Sequence, residues 1–357
     1  MAPVIHALNA HPAIEHICCV TGQHRQMLDQ VLKTFGIASD HDLNMMTNDQ
    51  TLGDITAMAL NGIAGVIEKT EPDWIVVQGD TTTAFAGALA AFYARKKVAH
   101  VEAGLRTGNI LSPWPEEANR KFVSVIANVH FAPTQVSANN LLRENVPAAD
   151  IHVTGNTVID ALQLIVGRLK QNAKLQKELD SNFPFLDGRR LILVTGHRRE
   201  NFQDGGLANM CKALKIIAGR GDVQIVYPVH LNPRVQTQVQ EVLAGTANVH
   251  LVTPLDYLPF VHMLSKAYMI VTDSGGIQEE APALGKPVLV TRDTTERPEA
   301  ITSGTARLVG TSTSELIDNV TDLLDRPEAY RKMANAVNPF GDGKASARIV
   351  QYLAGEK

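Results

Sequence analysis

The chain has 357 residues, enough for two domains, and its 45% hydrophobic and 20% charged residues are ordinary for a globular protein. A net charge of −4 excludes a basic surface field for nucleic acid, and no apolar run reaches the about 20 residues that cross a bilayer. The odd count of three cysteines argues against a disulfide framework, and their spacing predicts no zinc site. We therefore expect a cytoplasmic protein with no metal, no membrane insertion and no nucleic-acid partner.

Short apolar runs alternate with helix-length segments along the whole chain. Runs of valine, isoleucine and leucine in this arrangement predict parallel sheets covered by helices on both faces. The predicted fold class is therefore α/β, with two doubly wound, Rossmann-like domains facing a cleft. The predicted strands are residues 17–20, 74–78, 98–101, 129–132, 151–154, 191–195, 223–227, 249–252, 269–272 and 288–291. The predicted helices include residues 81–95, 115–127, 158–179, 314–324 and 345–353.

The two blocks of strands divide the chain near Gly155. Residues 1–155 are predicted to form the first domain, residues 156–340 the second, and residues 341–357 a final helix that packs back on the first. The beginning departs from this pattern, because residues 3–10 predict a helix where a doubly wound domain normally opens with a strand. We therefore expect the first strand and its turn to be missing from this sequence.

The most informative segment follows the predicted strand 269–272. Residues 273–276, with two glycines, predict a tight turn, and residues 277–284 predict a helix. Glycines at a helix start let a ligand approach the backbone, where N–H groups and the helix dipole favour a phosphate. Glu280 lies one turn further on, where it can accept sugar hydroxyl groups. The segment predicts a nucleotide-sugar clamp, and the alternative is an ordinary turn whose glycines serve compactness.

Polar side chains follow several predicted strands, at the carboxyl ends where open α/β sheets bind ligands. Asp80, Glu102 and His197 each come directly or shortly after such a strand. Two carboxylates and an imidazole can move protons, and we expect them to face one cleft. Each also has a structural alternative. Asp80 can cap the helix that follows it, Glu102 can be a loop charge, and His197 can be a structural histidine.

Two further segments add candidates. Residues 112–122 begin a helix in which Glu116 and Glu117 complement the helix dipole. Arg120 lies four and three residues after them, so either a helical ion pair or a substrate-positioning pair explains the arrangement. Arg297 lies in a polar loop, residues 291–300, beyond another strand and suits contacts with sugar or phosphate.

Taken together, these segments resemble the non-hydrolysing UDP-N-acetylglucosamine 2-epimerases of bacteria. The resemblance runs in order from residue 1 almost to the end of the chain, which is far more specific than any single motif. The matching strings include QGDTTTAFAGALAAFY, HVEAGLRTG, SPWPEEANR, TGHRREN, TDSGGIQEEAPALGKPVLV and RDTTERPEA.

The resemblance implies the two-domain GT-B architecture, with the nucleotide held mainly by the second domain. It implies interconversion of UDP-GlcNAc and UDP-ManNAc, which feeds cell-envelope polysaccharides. In this family UDP is expelled to leave 2-acetamidoglucal and then adds back, and a proton returns to the other face of C2. We also expect a homodimer that uses no cofactor.

The resemblance also assigns roles to residues, and Arg120 joins the expected substrate contacts. The residues that match catalytic or sugar-contacting positions are Asp80, Glu102, Glu116 and His197. The residues expected to bind UDP are Phe260, Ser274, Gly275, Gly276, Glu280 and Arg297, with Phe260 lining the uracil. The residues expected at a second, effector UDP-GlcNAc are Gln23, Gln26, Glu116, Arg198 and His230.

The sequence departs from the family pattern at two places. Members open with a strand and a GTRPEAIK-like loop, whose Arg and Lys have no counterpart here, and Met58 stands where several carry Arg near the effector site. These departures bear on activity and allostery rather than on the fold. Three alternatives stay open: a GT-B glycosyltransferase, a hydrolysing epimerase, and a non-catalytic nucleotide-sugar binder that lacks the first strand.

Overall fold

A computed structural model describes residues 1–47, 49–196 and 205–355, and in it the chain forms two compact units. Unit 1 comprises Met1–Ala161 together with Phe340–Lys357, and unit 2 comprises Leu162–Pro339. The chain therefore passes from one unit to the other twice. In the part of the chain that is described, no helix is long and apolar enough to cross a membrane.

Unit 1 contains two parallel sheets. Strands β3 to β6 form a four-stranded sheet in chain order, and β1 pairs with β2 in a separate two-stranded sheet. The strands are β1 (Cys19–Val20), β2 (His41–Asp42), β3 (Trp74–Gln78), β4 (Lys97–Val101), β5 (Val129–Ala132) and β6 (Ile151–Val153). The helices are α1 (Ala2–Ala10), α2 (Arg25–Phe35), α3 (Leu52–Thr70), α4 (Thr82–Tyr93), α5 (Glu116–Ile126) and α6 (Gln135–Arg143), with a 3₁₀ turn at Ala148–Asp150.

Unit 2 contains one six-stranded sheet in which every pairing is parallel. Its strands are β7 (Arg190–Thr195), β8 (Val223–Pro228), β9 (Val249–Val252), β10 (Met269–Thr272), β11 (Val288–Val290) and β12 (Ala306–Leu308). The helices are α7 (Thr157–Gln171), which begins in unit 1, α8 (Ala173–Ser181), α9 (Gly206–Ala218), α10 (Pro233–Leu243), α11 (Tyr257–Lys266), α12 (Gly275–Ala283), α13 (Pro298–Thr302), α14 (Thr313–Asp325) and α15 (Pro327–Ala334).

The strand order of the unit 2 sheet places a switch point at its centre. The order is β12-β11-β10-β7-β8-β9, so the chain runs outward in one direction from β7 and in the other from β10. In open α/β sheets, ligands bind beyond the carboxyl ends of the strands at such a point. The residues that follow β7 and β10 are therefore the first place to look for a ligand site.

The last helix of the chain, α16 (Ala345–Leu353), completes the core of unit 1. Ile349 and Val350 of α16 pack with Val4 of α1 on one face of the four-stranded sheet. The N–H of Ser346 donates to the carboxylate of Asp160 at 2.8 Å, which anchors the start of α16. Helices α3 and α4 cover the opposite face, so both faces of the sheet are buried.

This double cover explains why the strands are apolar without alternation, and it confirms the predicted α/β class with parallel sheets. Along β4, Ala99 and Val101 face α1 and α16, whereas Val98 faces α3 and α4. A strand that is buried on both faces favours apolar residues on both, and a polar residue such as His100 of β4 needs a hydrogen-bond partner there. The signal of such a strand in the sequence is therefore a continuous run, which the prediction used.

Two expectations about the elements were wrong. The single helix predicted at residues 158–179 is broken, because the side chain of Asn172 accepts a hydrogen bond from the N–H of Leu175 and starts α8 as a new helix. The prediction also missed β2 and β12. β2 has only two residues, His41 and Asp42, and β12 carries Arg307 at its centre, so neither is an apolar run.

Candidate active site

The carboxyl ends of β3 and β4 bring two predicted catalytic residues to the same edge of the unit 1 sheet. Asp80 lies two residues beyond the end of β3, and Glu102 lies one residue beyond the end of β4. The N–H of Gly79 donates to the carbonyl of Val101 at 3.0 Å, so the hydrogen bonding between β3 and β4 continues up to the residues just before Asp80 and Glu102. The backbone beneath the two carboxylates is thus held by the sheet.

Asp80 pairs with Arg120 of α5 and does not cap the helix that follows it. Nε and Nη2 of Arg120 lie 2.8 and 2.6 Å from the same carboxylate oxygen, Oδ2. Thr81 caps α4 instead, since its hydroxyl accepts from the N–H of Ala84 at 3.2 Å. Oδ1 of Asp80 has no hydrogen-bond partner within the described ranges, so it is available to a substrate.

Arg120 is held in turn by Glu117, for which the sequence analysis predicted only a helix-dipole role and a place in a helical ion pair. Nη1 of Arg120 lies 3.0 Å from Oε2 of Glu117, whose side chain is fully buried. The N–H groups of Thr107 and Gly108 donate to the same carboxylate at 3.1 and 3.3 Å. A buried carboxylate needs such partners, so Glu117 and Arg120 form a structural pair that fixes the guanidinium beside Asp80.

Glu116, the predicted catalytic residue next to Glu117, is the first residue of α5 and is half-buried. It makes no hydrogen bond or ion pair with the residues that the structure describes. The helical ion pair considered for Arg120 is therefore formed with Glu117, at a spacing of three residues, and not with Glu116. The catalytic role of Glu116 stays a prediction.

Glu102 has a left-handed backbone with φ of 62°, a conformation that costs a non-glycine residue of order 1–3 kcal/mol and tends to occur at functional sites. The side-chain amides of Gln78 and Asn156 approach its two oxygens at 3.4 and 3.5 Å. Gly79 next to it has a φ of 69°, which side chains rarely adopt, and a Cβ there would contact Oε2 of Glu102 at 3.4 Å. Glu102 is thus oriented by amides, whereas Asp80 is oriented by a guanidinium.

His100 supports the turn that carries Asp80. The ring is fully buried in β4, and its Nε2 lies 2.9 Å from the carbonyl oxygen of Gly79. A carbonyl only accepts, so Nε2 carries the proton. Burial lowers the pKa of His100 to about 3, and the imidazole is therefore neutral. His100 acts as a structural donor beneath Asp80.

The predicted nucleotide clamp lies at the switch point of the unit 2 sheet. Thr195 at the end of β7 and Thr272 at the end of β10 are neighbours, and their hydroxyl groups lie 2.6 Å apart. The helix α12 begins directly beyond β10, with Ser274 as its N-cap residue. The first N–H groups of α12 and the positive end of its dipole therefore stand at the edge where such sheets bind ligands.

The two glycines form the first turn of α12, so the prediction that they precede the helix is wrong. The helix begins at Gly275, and neither Gly275 nor Gly276 has a positive φ. Their contribution is space rather than backbone freedom. A Cβ on Gly276 would meet nothing within 4 Å, and a Cβ on Gly275 would be 3.8 Å from Oε2 of Glu296. The first turn is therefore open to a close ligand.

Arg297 lies over the same turn and is held there by an ion pair with Glu279. Its Nε donates to Oε1 of Glu279, and its Cζ would be 4.0 Å from a Cβ on Gly275. The N–H of Arg297 donates to the hydroxyl of Thr295, which donates to the amide oxygen of Gln278 at 2.6 Å. A fixed guanidinium and a helix start thus converge, which is an arrangement suited to an anion.

Glu280 is a buried carboxyl that Tyr257 of α11 contacts directly. The Tyr257 hydroxyl donates to Oε1 of Glu280 at 3.2 Å. Burial raises the pKa of Glu280 to about 7; the Tyr257 hydrogen bond acts against this rise, and the neighbouring charge of Glu279 adds to it. Phe260, the predicted uracil contact, is half-buried and lies three residues after Tyr257, on the same side of α11.

The predicted effector residues are described only in part. Gln23 accepts from the hydroxyl of Thr83 at 2.8 Å, and Gln26 is exposed on α2. His230 is exposed beyond β8, and its Nδ1 accepts from the N–H of Asn232 at 3.1 Å. The predicted His197 and Arg198 lie outside the described residues. Among those described, no group of three His, Cys, Asp or Glu side chains could hold a metal ion.

Two units with parallel sheets, one of which has a switch point at its centre, form an α/β protein, and its solved structural relatives place it in the GT-B class. The family profile described as UDP-N-acetylglucosamine 2-epimerase matches residues 6–354. The chain belongs to the UDP-N-acetylglucosamine 2-epimerase family.

Individual proteins agree with this assignment. The UDP-N-acetylglucosamine 2-epimerase of Escherichia coli K12 is 54% identical over 355 residues, which are 99% of this chain and 94% of that protein. The crystal structure of the Neisseria meningitidis UDP-GlcNAc 2-epimerase bound to UDP-GlcNAc is 50% identical, with a TM-score of 0.89 and coverage of 100% of this chain and 96% of that one. The Methanocaldococcus jannaschii enzyme in complex with UDP-GlcNAc and UDP is 34% identical, with a TM-score of 0.77 and coverage of 99% and 95%. The predicted family resemblance and GT-B fold class are confirmed.

Proposed function

We propose that this chain catalyses the reversible C2 epimerisation of UDP-GlcNAc to UDP-ManNAc by elimination and re-addition of UDP. The chain belongs to the epimerase family, and the observation that carries the proposal is the set of residues at the switch point of the unit 2 sheet. There the start of α12 and Arg297 form an anion site for a diphosphate. Glu280, one turn further along the helix, supplies a carboxylate for a ribose.

The chemistry requires proton movement at C2 and charge stabilisation at C1. A base takes the C2 proton as the bond from C1 to the UDP oxygen breaks, which leaves 2-acetamidoglucal and UDP. The UDP oxygen then bonds to C1 again, and a proton is delivered to the opposite face of C2. We assign the proton transfers to Asp80 and Glu102, with Glu116 contacting the sugar. We also propose a catalytic role for His197, on the family resemblance of the sequence alone.

The departing diphosphate needs positive potential as its charge develops. Arg297 lies beside the first turn of α12, which contains the N–H groups of Gly275 and Gly276, so these groups would stabilise that charge with little reorganisation. Ser274, the N-cap residue, lies at the same edge and uses no side-chain hydrogen bond to cap the helix. Its hydroxyl therefore remains a candidate for a phosphate oxygen.

Turnover of UDP-GlcNAc alone in deuterated water should give UDP-ManNAc that carries deuterium at C2, because the returning proton comes from an exchangeable acid. Mass spectrometry and proton NMR of the product make the measurement. Release of UDP with free ManNAc would identify a hydrolysing enzyme instead. Turnover only when a sugar acceptor is added would identify a glycosyltransferase, and product that retains the original C2 hydrogen would exclude elimination.

The homodimer is a separate part of the proposal, and an apolar face on α4 and α5 supports it. Phe92 and Tyr93 end α4 and are more than half exposed, and Val125 on α5 is 86% exposed. Phe122, one turn before Val125, is 49% exposed and packs against Phe85 of α4, with ring centroids 5.2 Å apart and the rings tilted by 37°. Exposed apolar side chains grouped on two neighbouring helices are typical of interfaces between proteins.

Val125→Glu should convert the dimer to a monomer, because it places a charge at the centre of the proposed interface. Light scattering after size exclusion gives the mass directly. The matched control is Val337→Glu, at an equally exposed valine (83%) in unit 2, which should leave the dimer intact. If the dimer persists in Val125→Glu but is lost in Val337→Glu, the interface does not lie on α4 and α5.

A further inference from the structure

We infer that Tyr257 is a positioning residue, which holds the carboxylate of Glu280 in the orientation that accepts the ribose hydroxyl groups of a nucleotide. The inference rests on the proposed nucleotide site of unit 2, and it gives a role to a side chain that the sequence did not single out. Tyr257 acts through Glu280 and does not itself take part in the chemistry.

The geometry ties the two side chains together. Tyr257 is the first residue of α11, and its hydroxyl lies 3.2 Å from Oε1 of Glu280 on α12. Within the described ranges this is the one side-chain hydrogen bond of Glu280, so Oε2 remains for a ligand. A carboxylate that is fixed at one oxygen offers the other in a defined direction, which reduces the ordering cost of binding.

The helix that supplies this hydroxyl also carries the predicted base contact. Phe260 follows Tyr257 by three residues, so both side chains project from the same side of α11. One rigid element would therefore set the uracil position and the direction of the ribose acceptor together. A nucleotide places its base and its ribose at a fixed separation, which a single helix can match.

The Tyr257 hydroxyl also affects the pKa of Glu280, together with the charges around that carboxyl group. Glu279 precedes it on α12 and pairs with Arg297 from the loop before α13, while Tyr257 faces it from α11. Burial is the main cause that raises the pKa of Glu280. The Tyr257 hydrogen bond lowers this pKa, and the charge of Glu279 raises it further. Burial and the charge of Glu280 raise the pKa of Tyr257 itself, so the phenol stays a donor at neutral pH.

The sign of the pH effect follows from these contacts. A protonated Glu280 accepts fewer hydrogen bonds, so ribose recognition should strengthen as pH rises through the pKa of about 7. Removing the Tyr257 hydroxyl removes the contribution that lowers this pKa. A larger fraction of Glu280 would then be protonated at neutral pH, and the pH at which recognition is half-developed would move upward.

The test is the affinity of UDP and of 2′-deoxy-UDP, measured by calorimetry from about pH 6 to about pH 9, for wild type and Tyr257→Phe. Wild type should prefer UDP, and the preference should grow with pH. Tyr257→Phe should weaken UDP binding roughly tenfold near neutral pH, the loss of one hydrogen bond to a charged group. At the alkaline end the affinity should recover only in part, because Glu280 is then ionised but is no longer held in place. Binding of 2′-deoxy-UDP should change far less.

Two further variants separate positioning from a general structural effect. Tyr330→Phe removes another hydroxyl of unit 2, which donates to the carbonyl of Tyr268 at 3.0 Å, and it should leave the pH profile unchanged. Glu280→Gln should abolish the pH dependence, and adding Tyr257→Phe to it should cost nothing more. The thermal melting point of each variant at each pH confirms that it is folded.

The outcomes distinguish this inference from the function on which it rests. If wild type binds neither nucleotide, the proposed nucleotide site itself is wrong. If wild type binds both nucleotides equally at every pH, the nucleotide site stands, but Glu280 has no ribose role and the inference falls. If wild type discriminates but Tyr257→Phe keeps the wild-type profile, the nucleotide site stands and the inference alone is overturned. Equal weakening of both nucleotides at all pH values also overturns it, since that result reports damage to α11.

Discussion

Glu102→Gln should lower kcat by roughly 10²–10⁴-fold, the effect of losing a positioned acid or base. The substitution keeps the shape of the side chain and leaves Gln78 and Asn156 in place beside it. UDP affinity should be unchanged, because Glu102 lies in unit 1 and the proposed UDP contacts lie in unit 2. Steady-state rates with UDP-GlcNAc and UDP titrations make the two measurements.

Glu71→Gln is the matched control for this prediction. Glu71 is also a glutamate with a left-handed backbone, at φ of 46°, but it ends α3 and is exposed. Any effect of the Glu-to-Gln change on a residue in this conformation should appear in both variants, and Glu71→Gln should keep the wild-type rate. A loss of less than about tenfold for Glu102→Gln would remove Glu102 from the proton transfers.

Arg120→Met should destabilise the protein by about 3–5 kcal/mol, the cost of removing one member of a buried ion pair. Arg120 compensates Glu117, which is fully buried, and it also contacts Asp80. The two N–H groups that reach Glu117 remain in the variant, but its charge loses the counter-ion. Denaturant unfolding measures the change. Activity should fall as well, because the guanidinium no longer orients Asp80.

Arg326→Met provides the comparison on the surface. Arg326 also pairs with two acids, Asp322 and Glu328, but its side chain is 63% exposed and solvent screens both pairs, so Arg326→Met should destabilise the protein far less than Arg120→Met does. Adding Glu117→Gln to Arg120→Met should restore part of the stability and none of the activity. If Arg120→Met and Arg326→Met destabilise the protein equally, then Glu117 does not depend on Arg120 for compensation of its charge, and the prediction is wrong.

The parts of the fold that the sequence predicted are those with a signal along the chain itself. The bounds of β3, β5, β9, β10 and α16 agree with the predicted residues, since each strand is a short apolar run between turn residues. The break at Asn172 had no such signal. An asparagine within a polar helix is common, and only its hydrogen bond to the N–H of Leu175 shows that a new helix begins.

The candidate site was predicted at the level of segments and less well at the level of partners. The ends of strands indicated Asp80 and Glu102, because parallel strands deliver the residues after them to one edge. The choice between Glu116 and Glu117 depends on how α5 is rotated against the sheet, which the sequence does not encode locally. The same holds for Tyr257 and Glu279, whose partners lie 23 and 18 residues away along the chain.

The return of α16 to unit 1 has a consequence for synthesis on the ribosome. Unit 2 is one continuous stretch, Leu162–Pro339, and its whole sequence has been synthesised before the last helix is made. Unit 1 cannot close its core until Ile349 and Val350 arrive to cover the sheet beside Val4. Domains fold as units during translation, with the earlier one usually first. Here we expect the reverse order, because unit 1 begins to be synthesised first but completes its core last. One apolar face of its sheet therefore stays uncovered by α16 until the end of elongation.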